Sequence, residues 1–380
     1  MSTRRIAFFT DSFHEVNGVA LTSREFVAFA QRHSLPMLSV RAGPADTVQT
    51  EGSITTTEFR RGRCRWVLEK DLAIDVLFLR HKKRIRAALD EFRPDLIHIT
   101  GPGDAGILGA MLAYELKIPL VASWHTNLHE FGARRLDAFL HFVHNSVRAA
   151  VIRRLQQWML DQCLRFYRLA KVLYAPNPEL VELLHRRTGR KTYLMTRGID
   201  VDLFNPNRRE RADRDFVIGN VGRLSPEKNI RMLAEVERLL WQNGHTGWRF
   251  LIVGDGSERA WLKRNMQCAD LPGILRGEDL ARAYASMDAF AFPSATDTFG
   301  NVVLEAMASG VPAIVTPNGG PKFLVKAGLN GQIAANPSGF AAEIIRLRCD
   351  PELLQRMQPV GGLHGWKPLM PVTQWRAVKT

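Results

Sequence analysis

Phe216-Val-Ile-Gly-Asn-Val-Gly-Arg-Leu-Ser-Pro-Glu-Lys-Asn-Ile-Arg-Met-Leu-Ala-Glu-Val-Glu-Arg-Leu-Leu-Trp-Gln242 decides how this chain is read. A short apolar run, Phe216–Gly222, has the length and composition of a buried strand. Gly222 breaks it, a polar loop carries Arg223 and Lys228, and Ile230–Gln242 returns apolar residues at helical spacing. Downstream the same alternation predicts strands at Arg249–Gly254, Asp288–Phe292 and Pro312–Thr316, and helices at Glu258–Gln267 and Asn301–Ser309. Upstream it predicts strands at Arg4–Thr10, Pro36–Arg41, Asp95–Thr100, Pro119–Trp124, Lys171–Ala175 and Lys191–Thr196. Helices are expected at Leu21–Gln31, Asp75–Phe92 and Ala105–Leu116. Strand–helix alternation with short apolar strands implies parallel, helix-covered sheets, an α/β fold.

At 380 residues, length alone suggests two domains of ordinary size or one large one. The best boundary is Arg197–Arg214, where Gly, Asp and Pro break the pattern and a strongly polar run follows. The expected organisation is domain 1–196, linker 197–214, domain 215–350 and a tail, 351–380, in which Gly and Pro forbid a long helix. The four cysteines lie far apart without metal-ligand spacing, which excludes a zinc ribbon and a disulfide scaffold and fits a reducing compartment. The apolar run at the start is too short for a signal peptide, and no stretch has the length of a transmembrane helix. A cytoplasmic protein is expected, at the inner face of the membrane if it binds lipid.

The net charge of +14 favours anionic partners, whether nucleic acid, acidic lipid or phosphorylated small molecules. No nucleic-acid-binding signature accompanies it, so no nucleic-acid partner is expected. Within Gly132–Lys171, eight Lys/Arg stand against two Asp around an apolar helical stripe. Two readings stay open for that segment: a core-facing helix with a cationic back, or an element that docks on a membrane or acceptor.

Four loops after predicted strands have the composition of anion sites. In Asp11–Val19, Gly18 allows backbone to approach a phosphate at a helix start. In the loop after Gly222, Arg223 and Lys228 can converge on one diphosphate. Val253-Gly254-Asp-Gly256-Ser suits a nucleotide at a strand-to-helix turn. In Asp297-Thr-Phe299-Gly300-Asn301-Val-Val-Leu-Glu305, backbone N–H groups can gather at a helix start. The apolar neighbours of Glu305 argue that it faces inward, where a carboxylate can hold vicinal hydroxyls. His125 ends a predicted strand, where ligands sit in α/β sheets.

In this order, the loops resemble the retaining glycosyltransferases of family 4, which have the GT-B fold: two Rossmann-like domains facing each other across a cleft. The resemblance runs from Ile6 to about Pro351, and Asp297-Thr-Phe-Gly-Asn-Val-Val-Leu-Glu305 is its most specific part. It implies that Arg223 and Lys228 bind the donor diphosphate, and that Glu305 holds the ribose. Asp297 would face the donor sugar, helped by backbone at Phe299-Gly300-Asn301. Gly18 would close on the phosphate, and His125 would touch the transferred sugar. Gly254 would line the nucleotide, and the base would be read near Arg276-Gly277. The linker near Arg197 would act as a hinge. No metal and no other cofactor is implied beyond the nucleotide-sugar donor. Asn17-Gly18-Val, His125-Thr-Asn127 and the Thr-Phe-Gly-Asn-Val-Val run are similar to the mannosyl- and sulfoquinovosyltransferase-like subgroup. That points to GDP-mannose or a UDP-sugar as donor, a lipid or glycan as acceptor, and contact with anionic membrane. Three departures stand out: Asp297 where the family has Glu, Pro-Asn after the strand at Leu173–Ala175, and the Gly/Pro-rich tail. The competing expectations are a nucleotide-sugar-binding protein with impaired catalysis and a basic peripheral membrane protein.

Overall fold

A computed structural model of the chain describes residues 4–15, 17–62, 65–69, 72–75, 77–127, 145–211, 215–242, 244 and 246–357; of 65–69, 72–74 and 145–147 only the backbone course is described. Two compact units divide it, the first ending at Arg197 and the second beginning at Gly198.

The first unit runs β1 (Ile6–Thr10), α1 (Gly18–Arg32), β2 (Met37–Gly43), β3 (Thr47–Glu51), β4 (Ile54–Arg60), β5 (Arg65–Glu69), β6 (Leu72–Asp75), a 3-10 turn at Phe78–His81 and α2 (Lys82–Phe92). It continues with β7 (Leu96–Ile99), α3 (Asp104–Glu115), β8 (Leu120–Ser123), α4 (Asn145–Tyr167), β9 (Val172–Ala175), α5 (Pro178–Thr188) and β10 (Lys191–Leu194). Eight strands form one sheet in the order β10-β9-β8-β7-β1-β2-β4-β3, parallel except for the β3–β4 pair, while β5 and β6 form a separate hairpin. Every residue of β1 is buried, because helices cover both faces of the sheet. Phe8 packs with Phe26 and Ala30 of α1 on one face. Phe9 packs on the other with Ile85 and Leu89 of α2, Leu112 of α3, Leu164 of α4 and Leu184 of α5.

The second unit runs β11 (Phe216–Val221), a 3-10 turn at Pro226–Lys228, α6 (Met232–Gln242), β12 (Trp248–Val253), α7 (Arg259–Asn265), β13 (Ala269–Gly273) and α8 (Gly277–Ala285). There follow β14 (Ala289–Phe292), α9 (Asn301–Ala308), β15 (Ala313–Val315), β16 (Gly331–Ile333), α10 (Pro337–Cys349) and α11 (Pro351–Met357). Its six strands are all parallel, in the order β13-β12-β11-β14-β15-β16.

Most expected elements are present within a few residues, and the differences have causes. The expected helix Asp75–Phe92 is a strand end, a 3-10 turn and then a helix that starts only at Lys82. Asp75 fixes that corner: its buried carboxylate takes the N–H of Gly62 (2.6 Å) and of Leu77 (3.0 Å), and the guanidinium of Arg80 (2.8 Å). Strands β3 and β4 have no apolar run to announce them; β3, Thr-Val-Gln-Thr-Glu, is an edge strand exposed throughout. Of the cationic segment Gly132–Ala170, residues 145–167 form α4, and 132–144 lie outside the described residues. Residues 351–357 are not an atypical tail. They form α11, whose Leu353 and Met357 complete the core under α6 and α10. The rest of the tail lies outside the described residues.

Most of the stretch expected as a linker packs on the second unit. Phe204 is buried, its ring 5.7 Å from that of Tyr284. Arg209 and Arg211 donate to opposite oxygens of Asp288 at 2.8 and 2.9 Å, and the second oxygen also takes the N–H of Val217 at the start of β11 (2.8 Å). One carboxylate therefore ties the incoming chain to two strands of the sheet. Removing it leaves the buried Arg211 charge short of its partner, which costs about 3 kcal/mol in comparable buried pairs. Asp288→Ala is expected to lower the denaturant midpoint of the second unit by a corresponding amount, while Asp288→Asn, which keeps one acceptor for Val217, loses less. Equilibrium unfolding followed by tryptophan fluorescence checks both.

Candidate active site

In the second unit the strand order reverses between β11 and β14: the chain leaves β11 toward β12 and β13, then returns to build β14, β15 and β16 on the other side. The loops after β11 and β14 diverge at that point, which is where open α/β sheets bind ligands. The first carries Arg223 and Lys228; the second carries Asp297 and leads into α9 and Glu305.

The two loops hold each other in place. Ser225 donates its hydroxyl to Glu227, a buried carboxylate, and Thr296 donates to the carbonyl of Glu227 at 3.1 Å. Pro226 opens the 3-10 turn, and Asn229 closes it with φ 53°, a left-handed cap that Asn tolerates. This presents Lys228 to the second loop, where its Nζ donates to Asp297 Oδ1 at 2.6 Å. Both side chains are about one-fifth exposed, so the pair is shielded yet open to a ligand. Arg223 is half-buried at the end of β11.

Gly300 caps α9 with φ 101°, and a Cβ there would lie 2.9 Å from Pro321 Cγ, so the position requires glycine. Asn301 is the first residue of α9, and the positive end of that helix points at the loop. The Phe299 side chain is itself buried in the core, which leaves only its backbone to face a ligand. One turn into α9, Glu305 is buried and accepts a hydrogen bond from Tyr284 of α8 at 2.7 Å. Burial pushes the Glu305 carboxyl up to about 7, and the tyrosine hydroxyl opposes that rise; burial and the neighbouring carboxylate raise Tyr284 well above its ordinary value. Tyr284 occupies Glu305 Oε2.

Gly254 follows β12 with φ 138°, and a Cβ there would stand 1.9 Å from the carbonyl oxygen of Gly222. Its first role is to let the ends of β12 and β11 touch. Arg276 is an exposed N-cap of α8, further along the same edge after β13.

His125 and Gly18 belong to the first unit, also beyond the carboxyl ends of strands. Gly18 is the first residue of α1, and Asn17 caps that helix through the Ala20 N–H at 2.9 Å. His125 follows β8, is buried, and takes a hydrogen bond from Arg197 Nη2 to its Nδ1 at 3.3 Å. Burial, then Arg197 and His98, hold its pKa well below the ordinary value, so the ring is neutral. A guanidinium only donates, so Nδ1 accepts and the ring proton sits on Nε2. The expected Pro-Asn departure is a helix cap: Asn177 takes the N–H of Leu180 at 2.9 Å.

Sequence reasoning missed Tyr284, because it stands 21 residues from its partner. It also missed the glycines after β15. A Cβ on Gly320 would meet the Thr298 carbonyl at 2.0 Å, and the Gly320 N–H supports the Asp297 carbonyl at 2.7 Å. The Gly319-Gly320 pair in the loop after an apolar strand was the available signal. Equally unread was Asp11 at the β1/β7 reversal of the first sheet. It takes the Ala105 N–H at 2.6 Å, while Arg61 donates to its backbone carbonyl; burial pushes its carboxyl up to about 6.

Two family models match the chain: "Glycosyltransferase Family 4" over residues 38–203 and "Glycosyl transferases group 1" over residues 215–350. A GDP-mannose-dependent alpha-mannosyltransferase of Mycobacterium tuberculosis is 34% identical over 249 residues, which are 64% of this chain and 60% of that protein. Its namesake in Corynebacterium glutamicum is 29% identical over 86% of this chain and 76% of its own length. The sulfoquinovosyl transferase SQD2 of Arabidopsis thaliana is 28% identical over 70% of this chain and 51% of its own. The matches thus span from about half to three-quarters of these relatives. Among solved structures, a sucrose-phosphate synthase from Thermosynechococcus elongatus superposes with TM-score 0.75 at 17% identity, covering 98% of this chain and 99% of that one. Anabaena Alr3699/HepE in complex with UDP-glucose superposes with TM-score 0.67, also at 17% identity, covering 98% of both chains. The likenesses to solved structures establish the GT-B fold, and the two family models make the chain a member of glycosyltransferase family 4, similar to the mannosyltransferases and the sulfoquinovosyl transferase just described.

Proposed function

We propose that the chain is a retaining, metal-independent hexosyltransferase that moves mannose from GDP-mannose to a lipid or glycan acceptor. The observation that carries this reading is the meeting of Lys228–Asp297 and Tyr284–Glu305 at the β11/β14 reversal. GDP is favoured over UDP by the names of the relatives just described.

Breaking a sugar–phosphate bond leaves negative charge on the diphosphate and oxocarbenium character on the sugar. Arg223, Lys228 and the amino end of α9 supply fixed positive charge for the first. Asp297, held beside Lys228, offers a carboxylate to the second. Gly18, at the amino end of α1, is assigned to the phosphate. His125, held by Arg197 with its ring proton on Nε2, is assigned to a hydroxyl of the transferred sugar. Glu305 Oε1 is assigned to a ribose hydroxyl, since Oε2 is taken by Tyr284. Gly254 and the backbone at Arg276-Gly277 are assigned to the rest of the nucleotide.

Three outcomes follow from this assignment. A thermal-shift titration without added metal is expected to show stabilisation by GDP, of roughly 2.7 kcal/mol at a hundredfold excess over Kd, and less by UDP. No shift with either nucleotide overturns the reading. Lys228→Ala is expected to lower kcat about a hundredfold or more, as loss of one charge-stabilising donor does elsewhere. Glu305→Gln is expected mainly to raise the donor KM, and unchanged kinetics in both variants would remove the site assignment.

A further outcome concerns pH. The folded carboxyl of Glu305 titrates near 7 against an ordinary 4.5, so between those values the folded state holds a proton the unfolded state has released. Its contribution to stability is therefore lost as pH rises from about 4.5 through 7. The stability of Glu305→Gln relative to the parent is expected to grow across that window and level off above it, measured by denaturant unfolding at pH 5, 6, 7 and 8. Because the ionised form accepts ribose hydroxyls best, GDP affinity of the parent should rise through the same window.

A further inference from the structure

Tyr284 holds Glu305, and the chain that enters the second unit holds Tyr284. Two rings pack on the phenol: Phe290 of β14 at 5.8 Å, and Phe204 at 5.7 Å, the latter edge-on at 81°. All three rings are buried. Phe290 belongs to the sheet. Phe204 belongs to the stretch between β10 and β11, where Ile199 and Leu203 pack on the same apolar cluster. Connecting stretches ordinarily run over the surface and add little to a core. This one supplies a ring on which Tyr284 rests.

The stretch is shaped for that contact. Asp200 closes a turn: its carboxylate takes the N–H of Asp202 (3.1 Å) and of Leu203 (3.0 Å), and its carbonyl takes that of Phe204 (2.9 Å). Beyond Phe204 the chain touches the ends of both helices that carry the Tyr284–Glu305 pair. Arg209 donates to the carbonyls of Ala285 (3.3 Å) and Met287 (3.2 Å), at and just past the end of α8. Pro206 abuts Gly310, just past α9, where an added Cβ would lie 3.0 Å from the proline Cβ. The phenol oxygen lies at the far end of its ring, so its position follows the tilt of the ring. A tilt that carries it beyond about 3.5 Å from the carboxylate ends the hydrogen bond.

We propose, on the reading above that Glu305 takes a ribose hydroxyl, that Phe204 is a positioning residue of the nucleotide site: acting through Tyr284, it fixes the carboxylate of Glu305. Binding of the ribose and docking of residues 199–211 on the second unit are then linked, each strengthening the other by the same factor. The stretch is part of the donor site rather than a passive connector.

The test is calorimetric titration of the full chain with GDP and with 2′,3′-dideoxy-GDP, which lacks both ribose hydroxyls. Phe204→Leu keeps the position apolar, and Tyr284→Phe keeps the ring and removes the hydroxyl. Each is expected to bind GDP about tenfold more weakly, as for loss of one hydrogen bond to a carboxylate. Dideoxy-GDP should bind the parent and both variants alike, which a merely loosened fold would not allow. In hydrogen–deuterium exchange, GDP should slow the amides of residues 199–211 in the parent, and dideoxy-GDP should not. Unchanged GDP affinity in either variant, an equal loss for the two nucleotides, or exchange in 199–211 that GDP leaves unaltered overturns the proposal and leaves the transferase reading standing. Failure of the parent to bind GDP overturns both.

Discussion

The reversal of strand order between β11 and β14 is the constraint on which the rest of the second unit depends. Parallel strands need crossovers, and crossovers of one hand place successive strands steadily to one side. When the chain returns to the other side, the two loops at the reversal have no crossover between them. Residues from opposite ends of the domain can then face each other without a helix in the way. Lys228 and Asp297, 69 positions apart, meet there at 2.6 Å. The first unit has the same reversal between β1 and β7, and there Asp11 meets the amino end of α3.

Around that constraint the acidic groups are tuned by burial and partner. Asp297 has a cation at 2.6 Å and a fifth of its side chain exposed; Glu305 has a phenol at 2.7 Å and is buried. Burial pushes the second up to about 7 against the hydrogen bond from Tyr284. His125 has no such freedom: burial and Arg197 keep it a neutral donor.

Much of this was legible in advance. The strand starts, the helix at Asn301, the inward face of Glu305 and the loop cations all follow from local patterns. The missed elements are those with weak local signal. The edge strand β13 contains Asp and Pro, and β3 is exposed throughout. Helix α5, by contrast, carried an Asn cap, Pro at its first position and a left-handed Gly189 at its end, signals that were present and not used.

By itself the sequence determined the α/β class, the division near Arg197, and which residue types stand after which strands, because apolar period and turn chemistry act over a few residues. Only the tertiary structure decided that Tyr284 tunes Glu305 and that Asp288 ties Arg209 and Arg211 to the sheet. These are contacts between segments tens of residues apart. Their energies depend on burial and distance, which exist only once the sheets have brought the segments together.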